Sequence, residues 1–267
     1  MEKQLLAEGR EAEVFLQPDG RVLKLWRDAD HGDRAEREAA ALRTLTAAGV
    51  PAPRLFDSVT VDGRPGLVVE HVDGLNLLAV LRRHPLAVFK AGRTLGAAHL
   101  AMHECVAPAE LPSVHDLLHS RIADAAPLPG DLRSAAHALL DELPAGDRLC
   151  HGDLHPGNLL GSWAAPVVID WGDAARGAPV ADVARTALLL RIGEVPPGVL
   201  GPFEWLAGVG RRILRQQYLS TYLAERPLDQ ALLDRWELVR AAARLYEPIP
   251  GEHPHLLALL RTGLAQD

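Results

Sequence analysis

Residues 151–173 read His151-Gly152-Asp153-Leu154-His155-Pro156-Gly157-Asn158-Leu159-Leu160, then run through Val167-Val168-Ile169-Asp170-Trp171-Gly172-Asp173. A carboxylate, Asp153, is followed five positions on by a carboxamide, Asn158. A second carboxylate, Asp170, closes an apolar run twelve positions later. Pro156 and Gly157 make the first half a loop, which suits an exposed functional carboxylate. Transfer of a phosphoryl group to a hydroxyl asks for three such groups. One carboxylate orients the hydroxyl and accepts its proton, while an amide and a second carboxylate hold Mg²⁺ against a triphosphate. Mg²⁺ takes oxygen donors, commonly one or two carboxylates plus phosphates and water. The competing readings are a turn before Pro-Gly for Asp153 and a strand-ending turn for Asp170.

The spacing His-x-Asp-x-x-x-x-Asn, with Asp170-Trp171-Gly172 downstream, resembles the catalytic loop and Asp-Phe-Gly triplet of protein kinases. The His-Gly-Asp-x-His-x-x-Asn form, Ile169-Asp170-Trp171 and the run Gly177-Ala178-Pro179-Val180-Ala181-Asp182-Val183-Ala184 resemble the aminoglycoside phosphotransferase and choline kinase family, the small-molecule branch of the kinase-like fold. That resemblance implies an α+β, two-lobe protein-kinase-like fold. Residues 1–73 would form a small N-lobe with an antiparallel sheet, one helix and a hinge. Residues 74–267 would form a larger, mostly helical C-lobe with the catalytic loop, metal site and acceptor-binding helices. It implies Mg²⁺-dependent transfer of the γ-phosphoryl of ATP or GTP to a hydroxyl of a small molecule, cationic acceptors such as an aminoglycoside or amino alcohol included. Asp153 is then the catalytic residue, Asn158 and Asp170 the metal ligands, and His151 and Asp182 structural. The alternative is a catalytically weak nucleotide-binding pseudokinase or scaffold, against which the intact Asp153, Asn158 and Asp170 stand.

The nucleotide side rests on Val22-Leu23-Lys24-Leu25-Trp26, an alternating run that resembles the kinase Val-Ala-Ile-Lys. Val22, Lys24 and Trp26 share one strand face. An inward lysine needs anionic partners, and Glu38 best matches the family's helix glutamate, with Glu36 as fallback. A solvent-facing lysine is the competing reading, and Trp26 suits packing more than adenine stacking. Leu67-Val68-Val69-Glu70-His71-Val72 resembles the interlobe hinge, so Val69, Glu70 and Val72 are expected beside the purine. The loop Gly9-Arg10-Glu11-Ala12-Glu13-Val14-Phe15 holds one glycine where kinases have three, leaving a phosphate cradle and a plain hairpin turn both open.

Composition narrows the classes. At 267 residues and 48% hydrophobic, the chain can bury a sizeable core. A net charge of −7 disfavours nucleic acid, whose phosphates want a concentrated basic face. Only three of the 28 basic residues are lysines, so Lys24 inside an apolar run stands out. Two cysteines make no disulfide framework, so Cys105 and Cys150 are expected to be buried thiols of a cytoplasmic monomer or homodimer. Neither a signal-peptide core nor a membrane span is visible. His151 and His155 are four apart, but Pro156-Gly157 breaks the helix that a zinc pair would use. Acceptor candidates are Asp116, Glu204, Trp205 and Glu247. Arg211, Arg212 and Arg215 read as a solvated basic face.

Elements follow from periodicity and turn chemistry. A hairpin is expected over 12–26 around Pro18-Asp19-Gly20, a helix over 33–48 stopped by Gly49, and a strand over 66–72. Helices are expected over 81–102, 113–125, 131–143, 180–192, 203–223, 227–245 and 254–264, with a short hairpin over 159–170 and a break at Pro196-Pro197-Gly198.

Overall fold

The computed structural model describes residues 4–9, 11–163, 165–192 and 202–264, with residues 202–207 described by backbone alone. The chain begins as five antiparallel strands: β1 (Gln4–Glu8), β2 (Ala12–Leu16), β3 (Val22–Trp26), β4 (Leu55–Val61) and β5 (Arg64–Val69). Their order across the sheet is β1-β2-β3-β5-β4. The turn between β2 and β3 closes on Gly20 at φ 81°, and β4 passes to β5 through Asp62 and Gly63, at φ 52° and 76°. An Asp-Gly pair in left-handed conformation is the two-residue turn that matches strand twist.

Helix α1 (Gly32–Ala48) buries Ala35, Glu38, Ala39, Leu42 and Leu45, a stripe at three- and four-residue spacing. Gly49 ends it at φ 69°, its N–H bonded to Leu45 O and Thr46 O, the left-handed stop typical of helix C-termini. Strand β3 is covered on both faces. Val22 and Trp26 join the core shared with α1, while Leu23 and Leu25 pack with Val68 on the opposite side. Trp26 is 1% exposed, so it packs rather than stacks on a ligand.

The remainder is α2 (Leu77–Arg83), α3 (Val88–His103), α4 (Val114–Asp124), α5 (Gly130–Glu142), β6 (Arg148–Cys150), β7 (Leu159–Ser162), β8 (Ala165–Val168), β9 (Ala175–Gly177), α6 (Pro179–Ile192), α7 (Pro202–Glu225), α8 (Gln230–Arg244) and α9 (His253–Gly263). An α+β, kinase-like architecture is therefore observed. Helix α6 is its axis: every residue from Val180 to Leu188 is buried, with α7 and α8 against it. Helix α3 lies along α7 at close range. A Cβ at Gly92 would sit 2.6 Å from Gln217 Cβ, and one at Gly96 would sit 2.8 Å from Tyr218 O.

Several expectations need correction. The helix expected over 81–102 is two helices separated by a 3₁₀ turn at Pro85–Ala87. Pro85 supplies no N–H and its ring collides with the carbonyl four residues back. The strand expected to reach Val72 ends at Val69, so Glu70 and Val72 follow the strand rather than belong to it. Strands β1, β4, β6 and β9 have no counterpart in the periodicity of the sequence. The Pro196-Pro197-Gly198 break lies outside the described residues. No helix among the described residues is long and apolar enough to cross a membrane.

Candidate active site

The hairpin of β7 and β8 explains how Asn158 and Asp170 meet. Leu159 pairs with Val168, and Ile169 N–H donates to Asn158 O at 3.0 Å. Both site residues thus leave from one end of the hairpin. Asp170 adopts φ 66°, the left-handed conformation that Asp tolerates better than most residues. Trp171 behind it is fully buried and donates Nε1–H to Val168 O at 3.0 Å.

His151 shapes the loop. Its Nε2–H donates to Ile169 O at 3.0 Å and its Nδ1 accepts from Asp153 N–H at 3.1 Å. That pattern defines a neutral imidazole with the proton on Nε2. Asn158 Nδ2 donates to Asp153 O at 3.0 Å, so its amide oxygen points away from that contact. His155 accepts from Gly157 N–H at 3.0 Å and lies 3.7 Å from Asp153 Oδ2.

Lys24 reaches across from β3. Its Nζ lies 2.6 Å from Glu38 Oε2 and 2.7 Å from Asp170 Oδ1. Burial works against the ammonium, but Asp170 and Glu38 outweigh it and hold the lysine charged well above its usual range, since opposite charges close by favour the ionised form. Lys24 in turn pulls Asp170 below the usual carboxylate range. At Glu38 burial prevails over the ammonium and the carboxyl is raised. Asp170 keeps half its side chain exposed. Asp173 does not join this group. It is largely covered, lying between Arg121 at 2.7 Å and Arg34 at 3.0 Å. Burial would raise it, but the two guanidiniums lower it to about 2.

Asp182, at the start of α6, ties the loop to the core. Its Oδ2 accepts from His151 N–H at 2.6 Å and its Oδ1 from Gly152 N–H at 2.9 Å. His99 Nε2 and His103 Nε2 reach the same Oδ2 at 3.1 and 3.3 Å. The imidazoles stack 4.4 Å apart, and their Nδ1 atoms meet Tyr218 Oη at 2.6 Å and Tyr222 Oη at 2.8 Å. Burial pushes His103 down to about 4. This trio has metal-ligating residue types, yet both nitrogens of each ring are already engaged, so the contacts form a hydrogen-bonded brace.

Asp153 is 30% exposed, and its Oδ1 accepts from Arg185 Nη2 at 2.8 Å. Arg185, buried in α6, also donates to Gly152 O at 3.2 Å and Glu247 Oε1 at 2.8 Å. Glu247, an acceptor-ligand candidate by sequence, is thus engaged by Arg185 and by Arg244. Asp116 is an exposed first-turn residue of α4, where Ser113 caps the helix by accepting from Asp116 N–H, as serine commonly does at that position. The side chains of Glu204 and Trp205 lie outside the described residues. Glu70 pairs with Arg54 through backbone and side chain, Val69 is buried, and Val72 is half-buried. Gly9 closes a turn by donating N–H to Ala12 O at 2.9 Å, and Glu11 meets Arg34 at 3.0 Å. Arg212 is exposed, and Arg211 and Arg215 are half-buried. With Arg191, Leu190 and Gly208 they line a cavity of about 410 Å³, where Arg215 pairs with the buried Glu237.

Sequence reasoning missed Arg185, Arg121 and the two buried histidines. The available signal was charge inside apolar helix, since Val180–Leu190 carries only Asp182 and Arg185. Such residues are buried only when paired.

Residues 4–199 match the phosphotransferase enzyme family. No curated protein sequence matches. Among solved structures, a thermostable mutant of aminoglycoside phosphotransferase APH(4)-Ia, in ternary complex with AMP-PNP and hygromycin B, is similar at 17% identity and TM-score 0.68, covering 98% of this chain and 94% of that one. The GDP and kanamycin complex of APH(2")-IIIa is similar at 19% identity and TM-score 0.57, covering 100% and 94%. Choline kinase from Cryptosporidium parvum Iowa II is similar at 15% identity and TM-score 0.60, covering 99% and 90%. At these identities the likeness is one of fold.

Proposed function

The chain belongs to the phosphotransferase enzyme family, and from that premise we propose that it is a small-molecule kinase moving the γ-phosphoryl of ATP or GTP to an acceptor hydroxyl. The observation that carries this reading is Lys24, held 2.6 Å from Glu38 and 2.7 Å from Asp170. A cation fixed between a helix carboxylate and the residue after an apolar hairpin is what grips phosphates beside a metal. Residues 1–73 then serve as the nucleotide-binding lobe and residues 74–267 as the catalytic and acceptor lobe, with Val69, Glu70 and Val72 beside the base.

The donor set fits Mg²⁺. Asn158 offers an amide oxygen not used by its contact to Asp153, and Asp170 offers Oδ2, because its Oδ1 faces Lys24. Both are hard oxygens. Bound there with a nucleotide, the ion would neutralise charge on the phosphates. Lys24 binds phosphate oxygens, Glu38 keeps Lys24 extended, and His151 fixes the loop. Asp153 orients the acceptor hydroxyl and takes its proton as the bond to phosphorus forms. In a loose transition state orientation dominates over early proton abstraction.

The test measures ADP or GDP release with Mg²⁺ and a panel of aminoglycosides, choline, amino alcohols and neutral sugars. Turnover on at least one acceptor is expected. Asp153→Ala should lower it roughly 10²–10⁴-fold while nucleotide affinity stays within a few-fold. Comparable turnover in the variant removes Asp153 from the mechanism. Nucleotide-induced thermal stabilisation without turnover on any acceptor would favour the pseudokinase reading.

A further inference from the structure

Asp153 sits at the end of a line of alternating charges. Arg185 Nη2 is shared, 2.8 Å from Asp153 Oδ1 and 2.8 Å from Glu247 Oε1. Arg244 holds the other oxygen of Glu247 and lies 2.7 Å from Glu252 Oε2. Three carboxylates and two guanidiniums leave one net negative charge. Arg185, Arg244 and Glu252 are all buried, whereas the Asp153 side chain is 30% exposed.

We propose that Arg185 is a positioning residue for phosphoryl transfer, aiming Asp153 by binding its Oδ1 so that Oδ2 is the oxygen presented to the acceptor hydroxyl. This rests on the reading of Asp153 above. Three features support it. Arg185 also donates to Gly152 O, so one guanidinium fixes both the carboxylate and the backbone that carries it. Glu247 takes part of the same Nη2, which keeps Arg185 from neutralising Asp153 outright. The rigid fork of a guanidinium suits such a double contact, and a lysine would reproduce the charge but not the fork. Glu247 is thereby assigned to holding Arg185 rather than to binding the acceptor.

The test is a double-mutant cycle on turnover of Mg²⁺·ATP or Mg²⁺·GTP with the acceptor that the panel identifies, or with water as acceptor. Arg185→Met is expected to lower kcat about 10- to 100-fold, with KM for nucleotide and acceptor changed less than about threefold, because orientation rather than binding is lost. Arg185→Lys should recover part of that loss. In an Asp153→Asn background the same Arg185→Met change should have almost no further effect, since residues acting as a unit are non-additive. Glu247→Gln should lower kcat and leave the acceptor KM unchanged. Additive losses in the double variant would overturn the proposal, as would a raised acceptor KM in Glu247→Gln. An Asp153→Asn protein with full turnover would instead sink the reading of Asp153 itself. Crystal structures of wild type and Arg185→Met supply a readout independent of activity. An Asp153 carboxylate in the same orientation in both refutes the proposal.

Discussion

Acid should loosen this protein through His103, by an amount that can be worked out. The imidazole is fully buried between His99, Tyr222 and Asp182, with Arg226 near enough to disfavour its protonation. In the unfolded chain it takes a proton near 6.5, but burial holds the folded value at about 4. Between those values the unfolded state binds more protons, so stability is retained above 6.5 and lost as pH falls toward 4. At pH 4.5 the difference in proton binding amounts to roughly 2–3 kcal/mol. Replacing His103 with Gln isolates this contribution. The Gln amide can donate to Asp182 and accept from Tyr222, as the imidazole does, but it cannot titrate. The assay is urea unfolding of both proteins at pH 7.5 and pH 4.5, followed by far-ultraviolet circular dichroism. Carboxylate titrations common to both proteins cancel in the comparison. Wild type should lose roughly 2–3 kcal/mol more than His103→Gln between the two pH values, whatever the variant's absolute stability. Equal losses would refute the argument that His103 is buried neutral.

Three other outcomes follow from packing and charge. Lys24→Met strands the buried Glu38 and should lower stability by about 3 kcal/mol in urea unfolding, with weaker nucleotide binding by calorimetry; unchanged stability would contradict the ion pair. Gly96→Ala would normally stabilise a helix interior by roughly 0.5–1 kcal/mol, but here the new Cβ meets Tyr218 O. The sign should invert to a loss of about 1–3 kcal/mol, read from thermal melts. Burial raises the thiols of Cys105 and Cys150, so neither should react with a disulfide reagent until the protein unfolds; rapid native labelling of Cys150 would contradict its burial.

Much of the candidate site is legible in the sequence because the residues proposed for its chemistry are local. Asp153, Asn158 and Asp170 fall within one loop and hairpin, and the register of β7 on β8 brings the last two together. Lys24 and Glu38 are legible as an inward lysine on an apolar strand and a glutamate on a helix's buried stripe. Strand β1 is not, because all five of its residues are exposed and no alternation marks it. The break at Pro85 is legible in principle, but the apolar periodicity running through 81–102 masks it. Arg185 and the paired histidines are hidden for another reason. Their partners lie 32 residues away at Asp153 and 83 and 79 away at Asp182, and only the fold makes them neighbours. Glu247 stands out by its charge, yet a lone acidic residue in sequence does not disclose the arginine that claims it.

Asp182 has a consequence for motion. The amide hydrogens of His151 and Gly152 end on a carboxylate rooted in α6, so they should exchange with solvent only when the helical interior comes apart. A segment that elsewhere would breathe as a surface loop inherits the stiffness of the deepest layer of the molecule. Adaptation to a different acceptor is therefore free to accumulate on the elements Asp182 does not hold, leaving the placement of Asp153 undisturbed.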